Sequence, residues 1–230
     1  MTDDAVRAKQ GVLFALAAYT FWGIAPIYFK LVKQVPPFEI LAHRIIWAFV
    51  LVLILIIAMR RMDRILPIVR SPKLIIRLTI ATFLLGGNWF LFIWAINTDH
   101  LLDASLGYYI NPLLNVAIGM AFFGEKMRRL QLVAIAMAVT GVAIQVITFG
   151  AVPWVALALA SSFATYGAIR KRLPVDSISG LWLETAILTP IMLSYLVFFA
   201  DSSASDLTAN AWQLNALLVA AGLVTTIPLL

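Results

Sequence analysis

The feature that most limits what this chain can become is the recurrence of apolar stretches about twenty residues long, the length a helix needs to cross a bilayer. Eight such windows, bounded by charges or by Pro and Gly, fall near residues 11–29, 38–59, 74–96, 102–123, 130–148, 152–169, 178–199 and 214–230. A soluble core helix would instead show polar positions every turn or two. Composition agrees: 63% of residues are hydrophobic and 12% charged, where soluble domains run to roughly half and a quarter. Such a chain cannot cover its own surface with polar groups. The expected fold is an all-α, polytopic membrane helix bundle.

The net charge of +6 raises nucleic acid as a partner, and the placement of the cations removes it. Arg7 and Lys9 precede the first window; Arg60, Arg61, Arg64, Arg70, Lys73 and Arg77 lie between the second and third; Lys126, Arg128 and Arg129 follow the fourth; Arg170, Lys171 and Arg172 follow the sixth. Only Lys30, Lys33 and Arg44 fall on the other side. The positive-inside rule therefore puts the amino terminus in the cytoplasm, in an inner or plasma membrane. Loops holding Asp99, His100 and Asp103, and Asp201 and Asp206, then face outside. The first window is read as a retained span rather than a signal peptide, because its apolar run continues to Phe29 and Ala15-Leu16-Ala17 comes too early for cleavage. With no cysteine and two histidines, thiolate metal chemistry is excluded and no metal or other cofactor is expected.

Sliding the second half over the first at a shift of 141 residues sets Ala15-Leu16-Ala17 on Ala156-Leu157-Ala158, Thr20 on Ser161 and Lys30 on Lys171. Five spans per repeat is an odd number, so a second copy enters the membrane from the opposite side. Inverted five-helix repeats of this kind belong to alternating-access transporters. The expected organisation is a cytoplasmic N-terminus over residues 1–10, a first repeat over 11–150 and an incomplete second repeat of three helices over 152–230. By this reading the chain stops about two spans early.

Several blocks resemble a known family. Tyr19-Thr20-Phe21-Trp22-Gly23, Pro26-Ile27-Tyr28-Phe29-Lys30, Glu39-Ile40-Leu41-Ala42-His43-Arg44, Asn88-Trp89, Ala104-Ser105-Leu106-Gly107-Tyr108-Tyr109-Ile110-Asn111-Pro112 and Phe123-Gly124-Glu125 are similar to the drug/metabolite transporter superfamily, its EamA-type branch and the RarD group within it. The resemblance covers nearly the whole chain. It implies ten spans in two inverted repeats with both termini cytoplasmic and no bound cofactor; eight spans are read here. It supplies no substrate.

Ionisable groups inside spans are functional candidates, because each costs a few kcal/mol to insert. His43 and Arg44 lie about six residues into the second window, and Glu39 is four residues before His43, on the same helical face. Either Arg44 snorkels and His43 satisfies Glu39, or His43, which titrates near neutrality, couples transport to protons. Glu184 lies in the seventh window, at the position that the 141-residue shift gives to His43; its alternative is pairing with Arg170 or Arg172. Tyr108, Asn111 and Asn115 form a polar stripe beside Pro112, which would break the backbone ladder there. Asn88 adds an amide, and interhelical glue explains these groups equally well. Lys30, an outer-face cation, either attracts an anionic solute or is simply solvated. Glu125 is expected to pair with Lys126, Arg128 or Arg129. Ala156, Ala160, Ala164 and Ala168, and Ala134, Ala138 and Gly141, read as packing faces; Trp89, Trp94, Trp154, Trp182 and Trp212 read as interfacial belts.

A secondary transporter of a small metabolite or drug-like solute, using the proton gradient, accounts best for these features. No Walker-type loop provides for ATP hydrolysis. An intramembrane enzyme with His43 and Glu184 as acid and base lacks a nucleophile or metal motif, and a lipid-carrier flippase would use the same fold. Expected partners are the solute, protons where transport is coupled, and the lipid bilayer, with a homodimer also compatible.

Overall fold

The computed structural model describes residues 3–150, 152–200 and 206–230, with backbone alone for residues 3–10, Ala15 and Phe149. Asp201, expected in an outer loop, lies outside the described residues. The helices are α1 (Asp3–Leu31), α2 (Pro37–Ala58), a single 3-10 turn (Met62–Arg64) running into α3 (Ile65–Val69), α4 (Pro72–Asn97), α5 (Leu101–Phe123), α6 (Arg129–Phe149), α7 (Trp154–Lys171), α8 (Ser177–Phe198) and α9 (Trp212–Leu229). Among the described residues there is no strand.

Local chemistry sets the ends. Pro37 and Pro72 occupy the first turns of α2 and α4, where the missing N–H costs nothing. Gly124 and Gly150 end α5 and α6 in the left-handed conformation, at φ 66° and 70°, which a side chain would oppose. Asp176 caps α8 by accepting the Ser179 amide at 3.2 Å. Burial alone would raise the Asp176 carboxyl, but the Ser179 hydrogen bonds and the charges of Arg64 and Arg61 outweigh it and hold the group below its usual range.

Among the described residues seven helices are long and apolar enough to cross a membrane. These are all the long helices but α7, whose 18 residues end in Arg170 and Lys171 and so fall short in mean hydropathy. Helix boundaries recur at a fixed interval. α2 and α8 are both 22 residues long and start at Pro37 and Ser177, while α4 and α9 start at Pro72 and Trp212. The interval is 140 residues in each case, one less than the residue identities suggested.

The chain divides into two compact units, Met1–Pro67 with Asp176–Leu230, and Ile68–Val175. In the first, α2 is central, packing against α8 and α9, with α1 on α9. Its amino-terminal half, Glu39 through Ile45, is buried on every side, and beyond that only the stripe Ala48, Val52 and Ile56 is buried. Ile54 and Ile57, 57% and 59% exposed, form the opposite face, as a helix with lipid on one side requires. Phe38 meets Tyr195 edge-on at 4.5 Å and Phe49 stacks on Trp182 at 5.7 Å, so α2 and α8 run antiparallel. α9 crosses α2 at backbone contact. A Cβ on Gly222 would lie 2.6 Å from the Trp47 carbonyl carbon and 2.8 Å from the Ala48 nitrogen.

In the second unit α7 is the hub, with α4 and α5 against it and α6 on α5. Asn88 against Leu159 and Ser162, and Trp94 against Trp154, make α4 and α7 antiparallel. Gly107 against Ala156, and Phe122 against Arg172, make α5 and α7 parallel. Ala156, Ala160 and Ala164 are buried as the stripe implied, and Leu106 and Ile110 of α5 pack on the first two, with Val142 and Val146 of α6 beside them.

Other expectations do not survive. Ala134, Ala138 and Gly141 are exposed, because α6 packs through Val142 and Val146 instead. Trp89 is 4% exposed inside α4, a core residue rather than a belt one, whereas Trp154 and Trp212 begin α7 and α9 and are exposed. α5 continues through Pro112 without a break. Glu125 reaches past its sequence neighbours to pair with Lys171. Beside that pair Arg172 donates to the Phe122 carbonyl at 3.1 Å, and both cations lie over the Phe123 ring. Cations on the final carbonyls of a helix complement its dipole.

Candidate functional site

The first unit buries four ionisable side chains within its spans: Glu39 (1% exposed), His43 (5%) and Arg44 (5%) on α2, and Glu184 (1%) on α8. Charges removed from water cost several kcal/mol each unless neighbours compensate, so four in one helix layer is an expensive arrangement. Arg44 is held from two sides. Its Nε donates to Thr225 Oγ1 of α9 at 2.6 Å, and its guanidinium lies 5.6 Å from the centre of the Phe29 ring of α1. The Thr225 hydroxyl passes its own hydrogen to the Ala221 carbonyl at 3.0 Å. One turn away is Gly222, whose missing side chain lets α9 come close enough for the bond.

The two aromatic contacts between α2 and α8 fix the levels of these groups. They set Glu184 opposite the part of α2 near Ala48, about 6 Å along the axis from Arg44, about 7.5 Å from His43 and about 13.5 Å from Glu39 at 1.5 Å rise per residue. The order along the bundle is therefore acid, imidazole, guanidinium, acid. Neither His43 nor Glu184 is free. The Oε2 of Glu39 is buried and meets no hydrogen-bond partner among the described residues. Hydroxyls surround the layer: Thr185 and Thr189 on α8 and Thr225 and Thr226 on α9 are all buried. Thr185 and Thr189 turn back on their own helix, to the carbonyls of Leu181 and Thr185. Tyr28 ties α1 to α9 by donating to the Leu217 carbonyl at 2.7 Å. Lys30, in the last turn of α1, is exposed.

The remaining candidates lie in the second unit. Asn88 spends its amide hydrogens on helix packing, donating to the Leu159 carbonyl and Ser162 Oγ, both at 2.9 Å. Asn111 is buried and accepts from Asn115 at 2.6 Å, one turn apart as their spacing required. Tyr108 sits edge-on to Phe92 at 5.5 Å. The nine candidates thus divide five to the first unit and four to the second.

Sequence reasoning missed Thr225, Gly222 and Tyr28. Adjacent hydroxyls at 225–226, three residues after a glycine in an apolar span, were the available signal. Among the described residues no group of three or more His, Cys, Asp or Glu could hold a metal ion.

The model of a family described as the EamA-like transporter family matches residues 9–147. An uncharacterized transporter of Vibrio cholerae is 54% identical over 230 residues, all of this chain and 76% of its own length. Protein RarD of Escherichia coli is 50% identical over 227 residues, 99% of this chain and 77% of its own. Protein RarD of Salmonella typhi is 51% identical over the same length and the same shares. No solved structure matches the chain.

Proposed function

Because the chain belongs to the EamA-like transporter family and, within it, to the RarD group, we propose that this multi-pass membrane protein is a secondary active transporter, moving a small metabolite or drug-like solute by alternating access and coupled to protons. The observation that carries the reading is the buried layer of Glu39, His43, Arg44 and Glu184 within apolar spans. Ionisable groups persist at such cost where they bind or relay charge. By formal charge, two carboxylates and one guanidinium leave the layer with one negative charge, which a proton on His43 would balance. Histidine is the side chain whose ordinary pKa lies nearest neutrality, which suits proton coupling.

The same reading takes residues 11–150 and 152–230 as inverted repeats, with eight spans and a cytoplasmic N-terminus. Three observations support it. Helix boundaries recur every 140 residues; α2 and α8, which this recurrence equates, run antiparallel; and α5 and α7 run parallel, as they must if α6 crosses between them. In this register Arg44, rather than His43, takes the place equivalent to Glu184, so the two repeats contribute opposite charges. Asn88, Tyr108, Asn111, Asn115 and Lys30 are secondary candidates for solute contact.

Proteoliposome uptake of amino acids and drug-like solutes tests the assignment. His43→Ala and Glu184→Gln are each expected to lower uptake at least tenfold while the purified protein stays monodisperse. Wild-type uptake retained by both variants would contradict it.

A further inference from the structure

The connection between α2 and α4 is too apolar on its exposed side for a loop in water. Met62, Leu66 and Val69 are 49%, 51% and 50% exposed and stand four and three residues apart, so the 3-10 turn and α3 present them as one stripe. Ile65 and Ile68, each 6% exposed, form the inward stripe. A short helix apolar on both its buried and its open side, set between two spans, has lipid on the open side. In sequence it is flanked by Arg60, Arg64, Arg70 and Lys73, all exposed, with Asp63 the acid among them. Arg61 approaches Asp176 at 4.0 Å, which leaves the other cations in excess.

We propose that this connection is a lipid-binding element lying in the headgroup layer, with Met62, Leu66 and Val69 at the acyl boundary and the flanking cations on anionic phospholipid headgroups. Charge complementarity selects the partner: basic residues beside a span each gain on the order of fivefold in association with an anionic leaflet.

The absence of cysteine makes the test direct. A nitroxide is placed at Leu66→Cys, with Ile54→Cys as a lipid-facing reference and Ala209→Cys as an aqueous one. The full chain is reconstituted in phosphatidylcholine with or without phosphatidylglycerol, and collision with oxygen is compared with collision with a water-soluble nickel complex. The expected result is an oxygen-accessible, nickel-protected label at Leu66, driven deeper by phosphatidylglycerol. In a protein that also carries Arg60→Gln, Arg70→Gln and Lys73→Gln, the response to phosphatidylglycerol should disappear. A Leu66 label that follows Ala209 would overturn the proposal, and so would one that is buried equally with and without phosphatidylglycerol.

Discussion

Gly222→Ala reports on the packing that seats the buried charges. The added methyl would meet three backbone atoms of α2 at 2.6–2.8 Å, and backbone cannot rotate aside as a side-chain tip can. Ordinary contact needs about 3.4 Å or more, so α9 must retreat from α2 by roughly 0.7 Å or tilt about the crossing, at about 1–3 kcal/mol for overpacking. The retreat also draws Thr225 away from Arg44. Their bond, now 2.6 Å, lengthens past good geometry, and a hydrogen bond to a charged group is worth about 1.5–3 kcal/mol. Replacing a helical glycine by alanine returns about 1 kcal/mol. The net destabilisation is about 1.5–5 kcal/mol, or a fall in Tm of about 3–20 °C for a chain of this size. Circular dichroism of the detergent-solubilised protein measures it, with Gly167→Ala as control, since a Cβ there meets nothing within 4 Å and should be neutral or stabilising. Equal Tm values for Gly222→Ala and wild type would refute the close crossing.

Three further outcomes follow from single contacts. Asn88→Ala removes both bonds from α4 to α7 and should cost about 1 kcal/mol, near the 0.6 kcal/mol average for each interhelical hydrogen bond in a membrane; a Tm unchanged or raised would make the amide dispensable to packing. Asp176→Ala should cost about 1 kcal/mol as a lost N-cap whereas Asp176→Asn, itself a good cap, should cost much less; equal losses would point to the Arg61 and Arg64 charges instead. Because the Asp176 carboxyl is held below its usual range in the folded protein, its stabilisation is present above the unfolded value near 3.8 and is lost as pH falls through the folded one. Wild type should therefore lose more stability than Asp176→Asn on acidification below about pH 4, and parallel Tm–pH curves would contradict this.

Hydropathy made the helices legible because a span announces itself by length alone. α2, α5 and α8 begin and end within a residue or two of their apolar windows. α7 ends two residues later than its window, at Lys171, because a helix may carry its charged last turn beyond the apolar run. Partner choice was not legible, since lipid and a neighbouring helix are equally apolar and the same small-residue stripe reads alike in both settings. The alanines of α7 meet Leu106 and Ile110 of α5, while Ala134, Ala138 and Gly141 of α6 are left open. The site followed the same division. Glu39, His43, Arg44 and Glu184 stood out because charge in a span is rare, but Thr225 did not, because a threonine that bonds its own helix looks no different from one that also receives an arginine. The Glu125–Lys171 pair was hidden for another reason: its partners are 46 residues apart, and nearer cations offered themselves.

The most direct test of proton-coupled transport through the buried layer is a proton-flux measurement on proteoliposomes loaded with a pH-sensitive dye. A transported solute, once identified by uptake, is added outside at symmetric pH. Solute-dependent movement of protons in wild type, abolished in His43→Ala, is the predicted result; solute uptake with no accompanying change in internal pH would contradict the coupling and leave a facilitated carrier.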